Sequence, residues 1–260
     1  MNDEDQGVQY DRVADRYFSE RGLRRYAGVW SLWALGVGAV ISGDFFGWNF
    51  GLAVGGFGGL LAATVIITVM YAGLCFSIAE MAAALPHTGG AYSFARSAMG
   101  PWGAYVTGLA ENMEYILTPA VIVVGIGGYL GAIFGTPSGA EPLWWLAAYA
   151  LFVGLNVAGV EITFRFTVLI TALALGVLVV FWTTAIPYFD LSYALDIEPD
   201  PGRSVWLPKG PAGILSALPF AIWFFLAIEQ LPLAAEEARA PARDLPRGLV
   251  YGLLTLVIAA

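Results

Sequence analysis

Ile41-Ser42-Gly43-Asp44-Phe45-Phe46-Gly47 lies inside an apolar run, residues 26–50, that is long enough to cross a bilayer. A second run, 212–233, holds Pro219-Phe220-Ala221-Ile222-Trp223-Phe224-Phe225-Leu226-Ala227-Ile228-Glu229, with Pro232 just beyond. A carboxylate at membrane depth is disfavoured by several kcal/mol unless it meets a cavity, a partner or a cation. Glycine and proline at the same depth free backbone groups that only protein or a water-filled cavity can satisfy. Two apolar segments, each interrupted and each holding one acid, are the pattern of a carrier's central site.

Composition supports a membrane chain. Of 260 residues, 58% are hydrophobic and 12% charged, and mean hydropathy is +0.72. A soluble domain carries about twice that charged fraction. The 14% aromatic content suits interfacial belts and packed membrane helices. The net charge of −8 is concentrated in Asp3, Glu4, Asp5, Asp11, Asp15 and Glu20, and again in Asp190, Asp196, Glu198 and Asp200. Both groups read as solvated segments, and no basic stripe points to nucleic acid.

Apolar runs predict spanning helices at 26–50, 58–85, 102–133, 143–160, 167–188 and 212–233. A seventh run starts near Gly248; its 13 residues would rise only about 20 Å. The expectation is a chain truncated within the seventh transmembrane helix. Residues 1–25 read as a tail, with no signal-peptide pattern. Ten cations (Arg12, Arg16, Arg21, Arg24, Arg25, Arg96, Arg165, Arg239, Arg243 and Arg247) fall on the tail's side, against Arg203 and Lys209 opposite. That asymmetry predicts a multi-pass protein of the inner or plasma membrane with a cytoplasmic N-terminus. Residues 189–211 then form an extracellular loop, and Pro86 to Pro101 a cytoplasmic connection carrying a short interfacial helix.

Gly47/Gly51, Gly55/Gly59 and Gly127/Gly131 have the spacing of close helix packing. Ser42 and Gly43 can leave helical geometry cheaply, and Asp44 sets a negative charge beside them. Trp223 can share a ligand with Glu229 only if the chain unwinds between them; an aromatic face attracts an ammonium group. On the third run Glu111, Tyr115, Thr118 and Ile122 share one helical face, and Glu114 starts another stripe. Those acids either titrate or contact substrate, or they cap a polar packing layer. Glu236 to Arg247 forms either a gate network or a solvated loop. The single histidine, His87, has no metal-ligating companions, the single cysteine, Cys75, reads as a small apolar residue, and no phosphate-binding loop occurs. No metal, cofactor or enzymatic activity is expected.

Ile41-Ser42-Gly43, then Ile78-Ala79-Glu80-Met81 leading to Pro86-His87-Thr88-Gly89-Gly90-Ala91-Tyr92, then Glu229 with Ala235-Glu236-Glu237 and Pro246-Arg247, resemble the amino acid–polyamine–organocation permeases. Within that superfamily the stretches from Ile41 to Asn49 and from Pro219 to Glu229 look most like ethanolamine permeases. The resemblance covers residues 20–260 and the N-terminal half of such a permease. It implies an all-α, LeuT-like five-plus-five inverted-repeat fold, with 26–188 as the first repeat and 212–260 opening the second. Substrate would lie between broken helices one and six, and helix three would line the same site. The resemblance places Ile41, Ser42, Gly43, Trp223, Ala227 and Ile228 around it. Related amino acid permeases often have glycine where Ile41 and Ala227 stand, and an uncharged residue where Asp44 stands.

An amino acid carrier holds a carboxylate on exposed N–H groups. Asp44 would repel that carboxylate and favour an amine that lacks one. The expected function is secondary transport of a small cationic amine, ethanolamine foremost, by alternating access. Tyr115 and Thr118 join the substrate-binding set, and Glu111 and Glu229 are candidates for coupling to H+ or for substrate exchange. The alternatives are an amino acid or polyamine permease, a seven-helix receptor or sensor, and a fragment without activity.

Overall fold

Backbone polar groups in lipid must be satisfied within the chain, so long apolar runs become helices. A computed structural model describes residues 25–260; all of the expected tail but Arg25 lies outside them. The elements are α1 (Val29–Ile41), α2 (Asp44–Ala84), α3 (Gly90–Phe134), α4 (Glu141–Ala158), α5 (Val160–Ala185), the short α6 (Leu191–Ala194), α7 (Gly210–Ile222), a 3-10 segment (Ile228–Ala234) and α8 (Pro241–Ala259). Among the described residues the nearest thing to a sheet is one parallel bridge, Ala27 to Ala238.

Two of the expected spans are not single helices. The first run is cut at Ser42-Gly43 into α1 and the start of α2, and the sixth into α7 and the 3-10 segment. By length and composition, Phe46–Ala84, Gly90–Phe134 and Ile162–Tyr188 are long enough to cross a membrane. α2 is itself two helices that meet at Gly56, whose φ of 67° is one a side chain resists. A Cβ on Gly51 would meet Leu60 Cδ1 at 2.6 Å, a contact impossible along one straight helix, so the chain folds back here. α3 turns the same way at Gly100, φ 71°, which separates the short helix after Gly89 from the longer one that follows. His87 closes the preceding turn, its Nδ1 accepting from Gly89 N at 2.9 Å.

Two boundaries differ from expectation. α5 begins at Val160, seven residues before Thr167, with Gly159 alone joining it to α4. Arg165 therefore sits within a helix, where its charge had masked an apolar pattern carried on by Ile162 and Phe164. α8 begins at Pro241 rather than near Gly248. Arg243, Asp244 and Arg247 depress local hydropathy there, yet Leu245, Leu249, Leu253 and Leu256 already form a buried stripe.

The first and sixth runs, that is α1 with the start of α2 (helix one) and α7 with the 3-10 segment (helix six), run antiparallel against each other through both halves. Built Cβ atoms on Gly43, Gly47 and Gly55 would meet Trp223, then Phe224 and Phe220, then Ala217 and Gly213. On the other side of the break, Gly36 lies 3.6 Å from Ile228 and Gly248 lies 3.1 Å from Leu32 and Leu231, measured the same way. Small residues permit such backbone approach where lipid offers no hydrophobic drive. The core is this crossing: Leu32, Val37, Phe224, Phe225, Ile228 and Leu249 are all fully buried.

Candidate functional site

The two interruptions touch. Trp223 packs on Gly43, where a Cβ would fall 2.8 Å from ring carbon Cε3, and its ring centroid lies 5.4 Å from that of Phe46. Ser42 and Gly43 keep right-handed helical angles (φ −67° and −88°), so the first break is a single tightened turn. Gly43 N donates to Val40 O at 2.7 Å, and Ser42 Oγ donates to Ala39 O at 3.1 Å. The expected exposure of several backbone groups is thus smaller here, because i to i+3 bonds absorb them.

The second break is wider. From Trp223 to Leu226 the backbone closes on carbonyls of residues 220 to 222, and Ala227 then adopts φ 87°, the sole left-handed residue other than glycine among the described residues. Such a conformation costs a residue with a Cβ about 1–2 kcal/mol. Glu229 offsets part of it, since its Oε1 accepts from Ala227 N at 3.2 Å. The unwinding needed to bring Trp223 and Glu229 toward one ligand is therefore present.

Asp44 opens α2, in the first turn, where the helix dipole favours negative charge. Its Oδ1 and the Oε2 of Glu229 are buried without a hydrogen-bond partner among the described residues. Buried polar atoms are ordinarily paired. The two acids have different surroundings: Glu229 lies within electrostatic reach of Glu114, Tyr71 and Tyr115. Gln230 Nε2 donates to Glu114 Oε1, tying the 3-10 segment to α3. Tyr71 stacks on Phe225 with centroids 5.3 Å apart.

Of the other expected residues, Glu111, Ile41 and Thr118 are half-buried and Tyr115 is 36% exposed. Ile228 is fully buried between Gly36 and Gly252, so its side chain serves packing while its backbone leaves the break. Ser42, Pro119 and Ile122 line a cavity of about 520 Å³ with Asn156, Thr167 and Thr171.

A family model described as "Amino acid permease" matches residues 31–259. The chain belongs to the amino acid permease family. It is 36% identical, over 92% of its length, to an uncharacterized transporter of Rhizobium meliloti, covering 51% of that protein. It is 26% identical to the branched-chain amino acid permease BcaP of Bacillus subtilis over 92% of this chain and 53% of the other. It is 25% identical to the chloroplastic cationic amino acid transporter 7 of Arabidopsis thaliana, over 96% and 46%. The chain spans about half the length of the curated relatives it matches. Its architecture is accordingly that of an all-α, multi-pass membrane transporter.

Several residues of this permease were not evident from sequence. Glu114 rather than Glu111 holds Gln230, and Tyr71, stacked on Phe225, lies within electrostatic reach of Glu229. Thr171, fully buried, donates from Oγ1 to Ala34 O at 3.0 Å and locks α5 to α1. Asp244 is 1% exposed; it accepts from Ala240 N at 3.3 Å and from Arg243 Nε at 2.8 Å, starting α8. Its place one residue after Arg243 and four after Ala240 was the available signal. In the adjoining loop, burial and the neighbouring Glu236 push the Glu237 carboxyl above the usual range.

Proposed function

We propose that this permease is a secondary carrier for a small organic amine, ethanolamine foremost, working by alternating access in the inner or plasma membrane with its N-terminus cytoplasmic. The observation that carries the proposal is the contact of the two breaks, Trp223 on Gly43; each break also holds a carboxylate oxygen, on Asp44 and on Glu229, that is buried without a donor among the described residues. An ammonium supplies donors and positive charge together, and an adjacent indole face adds attraction worth about 2 kcal/mol or more once water is excluded. Asp44 at the head of α2 occupies the place where helix N–H groups would otherwise receive a substrate carboxylate. The antiparallel run of helix six along helix one supports a five-plus-five inverted repeat, with 26–188 as one unit, 189–211 as an outward loop and 212–260 opening the second.

In this scheme Ile41, Ser42, Gly43, Asp44, Trp223, Ala227, Ile228 and Glu229 surround the substrate, with Tyr115 and Thr118 on the facing helix. Glu229 and Glu111 are the groups that would couple transport to H+ or to exchange. Uptake of labelled ethanolamine by full-length protein in liposomes tests the proposal. Asp44→Asn should abolish most uptake, and a variant that moves ethanolamine at full rate defeats it.

The names of two relatives favour a second reading, an amino acid permease for branched-chain or cationic substrates. Competition decides between them. Unlabelled amino acids that displace ethanolamine as well as ethanolamine itself does would support the second reading.

A further inference from the structure

A cavity of about 300 Å³ runs along α1 and the 3-10 segment, from the second break toward the loop that precedes α8. That volume is at the lower end of the range for small-molecule pockets. Leu35, Ala39 and Ala234 give it apolar walls, and its polar side chains stand apart from one another: Gln230 near the break and Glu237 at the loop. The 3-10 backbone rises about 2 Å per residue, so Gln230 to Ala234 covers roughly 8 Å, and Glu237 lies three residues beyond the end of that segment.

The loop holds Glu237 in place from both sides. Its carbonyl accepts from Ala27 N at 2.9 Å, its N–H donates to Ala234 O at 3.1 Å, and Arg239 N donates to Ala27 O at 2.9 Å. Ala27 and Ala238, the bridged pair, are completely buried. Nearby charges leave Glu237 without a cation among the described residues. Glu236 accepts from Thr88 Oγ1 at 3.3 Å, Arg243 is engaged by Asp244, and Arg239 is exposed. A half-buried carboxylate with a like-charged neighbour and no ion pair among the described residues attracts a cation, and an apolar wall strengthens that attraction by excluding water.

We infer that this cavity is a second binding subsite for the transported cation, with Glu237 anchoring its ammonium at the mouth on the N-terminal face and Gln230 marking the end nearest the break. The inference rests on the amine reading above. It assigns to Glu237 a role in loading or release at one face of the membrane, separate from binding at Asp44 and Glu229.

The test measures KM for labelled ethanolamine from each face of oriented liposomes carrying the full-length protein. Glu237→Gln should raise KM about tenfold from the face bearing the N-terminus and leave the opposite face within about twofold. Ala39→Leu, which fills the cavity without touching Glu237, should show the same one-sided rise and stands in if Glu237→Gln folds poorly. Glu236→Gln should change neither face by more than about twofold. Equal rises on both faces, or no rise with either variant while amines are still carried, overturn the subsite alone. A wild-type protein that carries no amine from either face overturns the substrate reading and, with it, the ligand assigned here.

Discussion

The two breaks solve one problem in opposite ways. At Ser42-Gly43 the backbone stays near helical angles and the interruption costs little; glycine is needed there because Trp223 approaches to within a Cβ's reach. At residues 223–227 tighter turns run on for several residues and end in a left-handed alanine, held by the Glu229 carboxylate rather than by glycine's freedom. The lesson is that a glycine in a broken helix can signal contact, while true strain can sit on a residue with a side chain.

The largest expected effect attacks the first break. Gly43→Ala forces the new methyl against the Trp223 ring and Val40 O, and should destabilise the protein by about 2 kcal/mol. Adding Trp223→Leu should recover most of that loss in thermal unfolding; no recovery would show that the Val40 carbonyl, not the indole, is what excludes a side chain there. At the second break, Glu229→Ala leaves Ala227 N without its acceptor and should cost about 1–2 kcal/mol, whereas Glu229→Gln keeps an acceptor and should cost less than half as much. Equal unfolding temperatures for the two variants would remove the carboxylate from its supporting role.

Thr171→Val tests the anchor that holds α1 below the first break. Loss of the bond to Ala34 O should lower stability by about 1 kcal/mol, read from the unfolding temperature in detergent. The smallest effect carries the opposite sign. Ala227→Gly relieves the left-handed strain but adds chain freedom to the unfolded state, for a net gain of about 0.5 kcal/mol. A loss there would mean that the methyl group contributes packing that outweighs its strain.

Much of the fold is legible in the chain because hydropathy is a local property. The interruption of the first run at Ser42-Gly43, the turn before Gly90 and the short helix ahead of Pro101 all follow from residue type within a few positions. Errors fell where charge and apolar pattern overlapped, as at Arg165 and Arg243-Asp244, since averaging over a window hides a stripe that keeps its helical period. The candidate site was less legible. Asp44 and Glu229 stand out as acids in apolar sequence, but Glu114 and Thr171 look like ordinary polar residues until their partners are in place.

Apolar run length and the placement of Gly, Pro and acidic residues were enough to specify a membrane chain of interrupted helices, since desolvation of backbone and charge acts on each segment alone. Which acid reaches Gln230, which glycine admits an indole ring and which alanine bears the strain depend on how helices rotate and cross. Each residue turns a helix by about 100°, so such contacts between positions more than a hundred apart emerge only when the packed molecule settles their mutual angle.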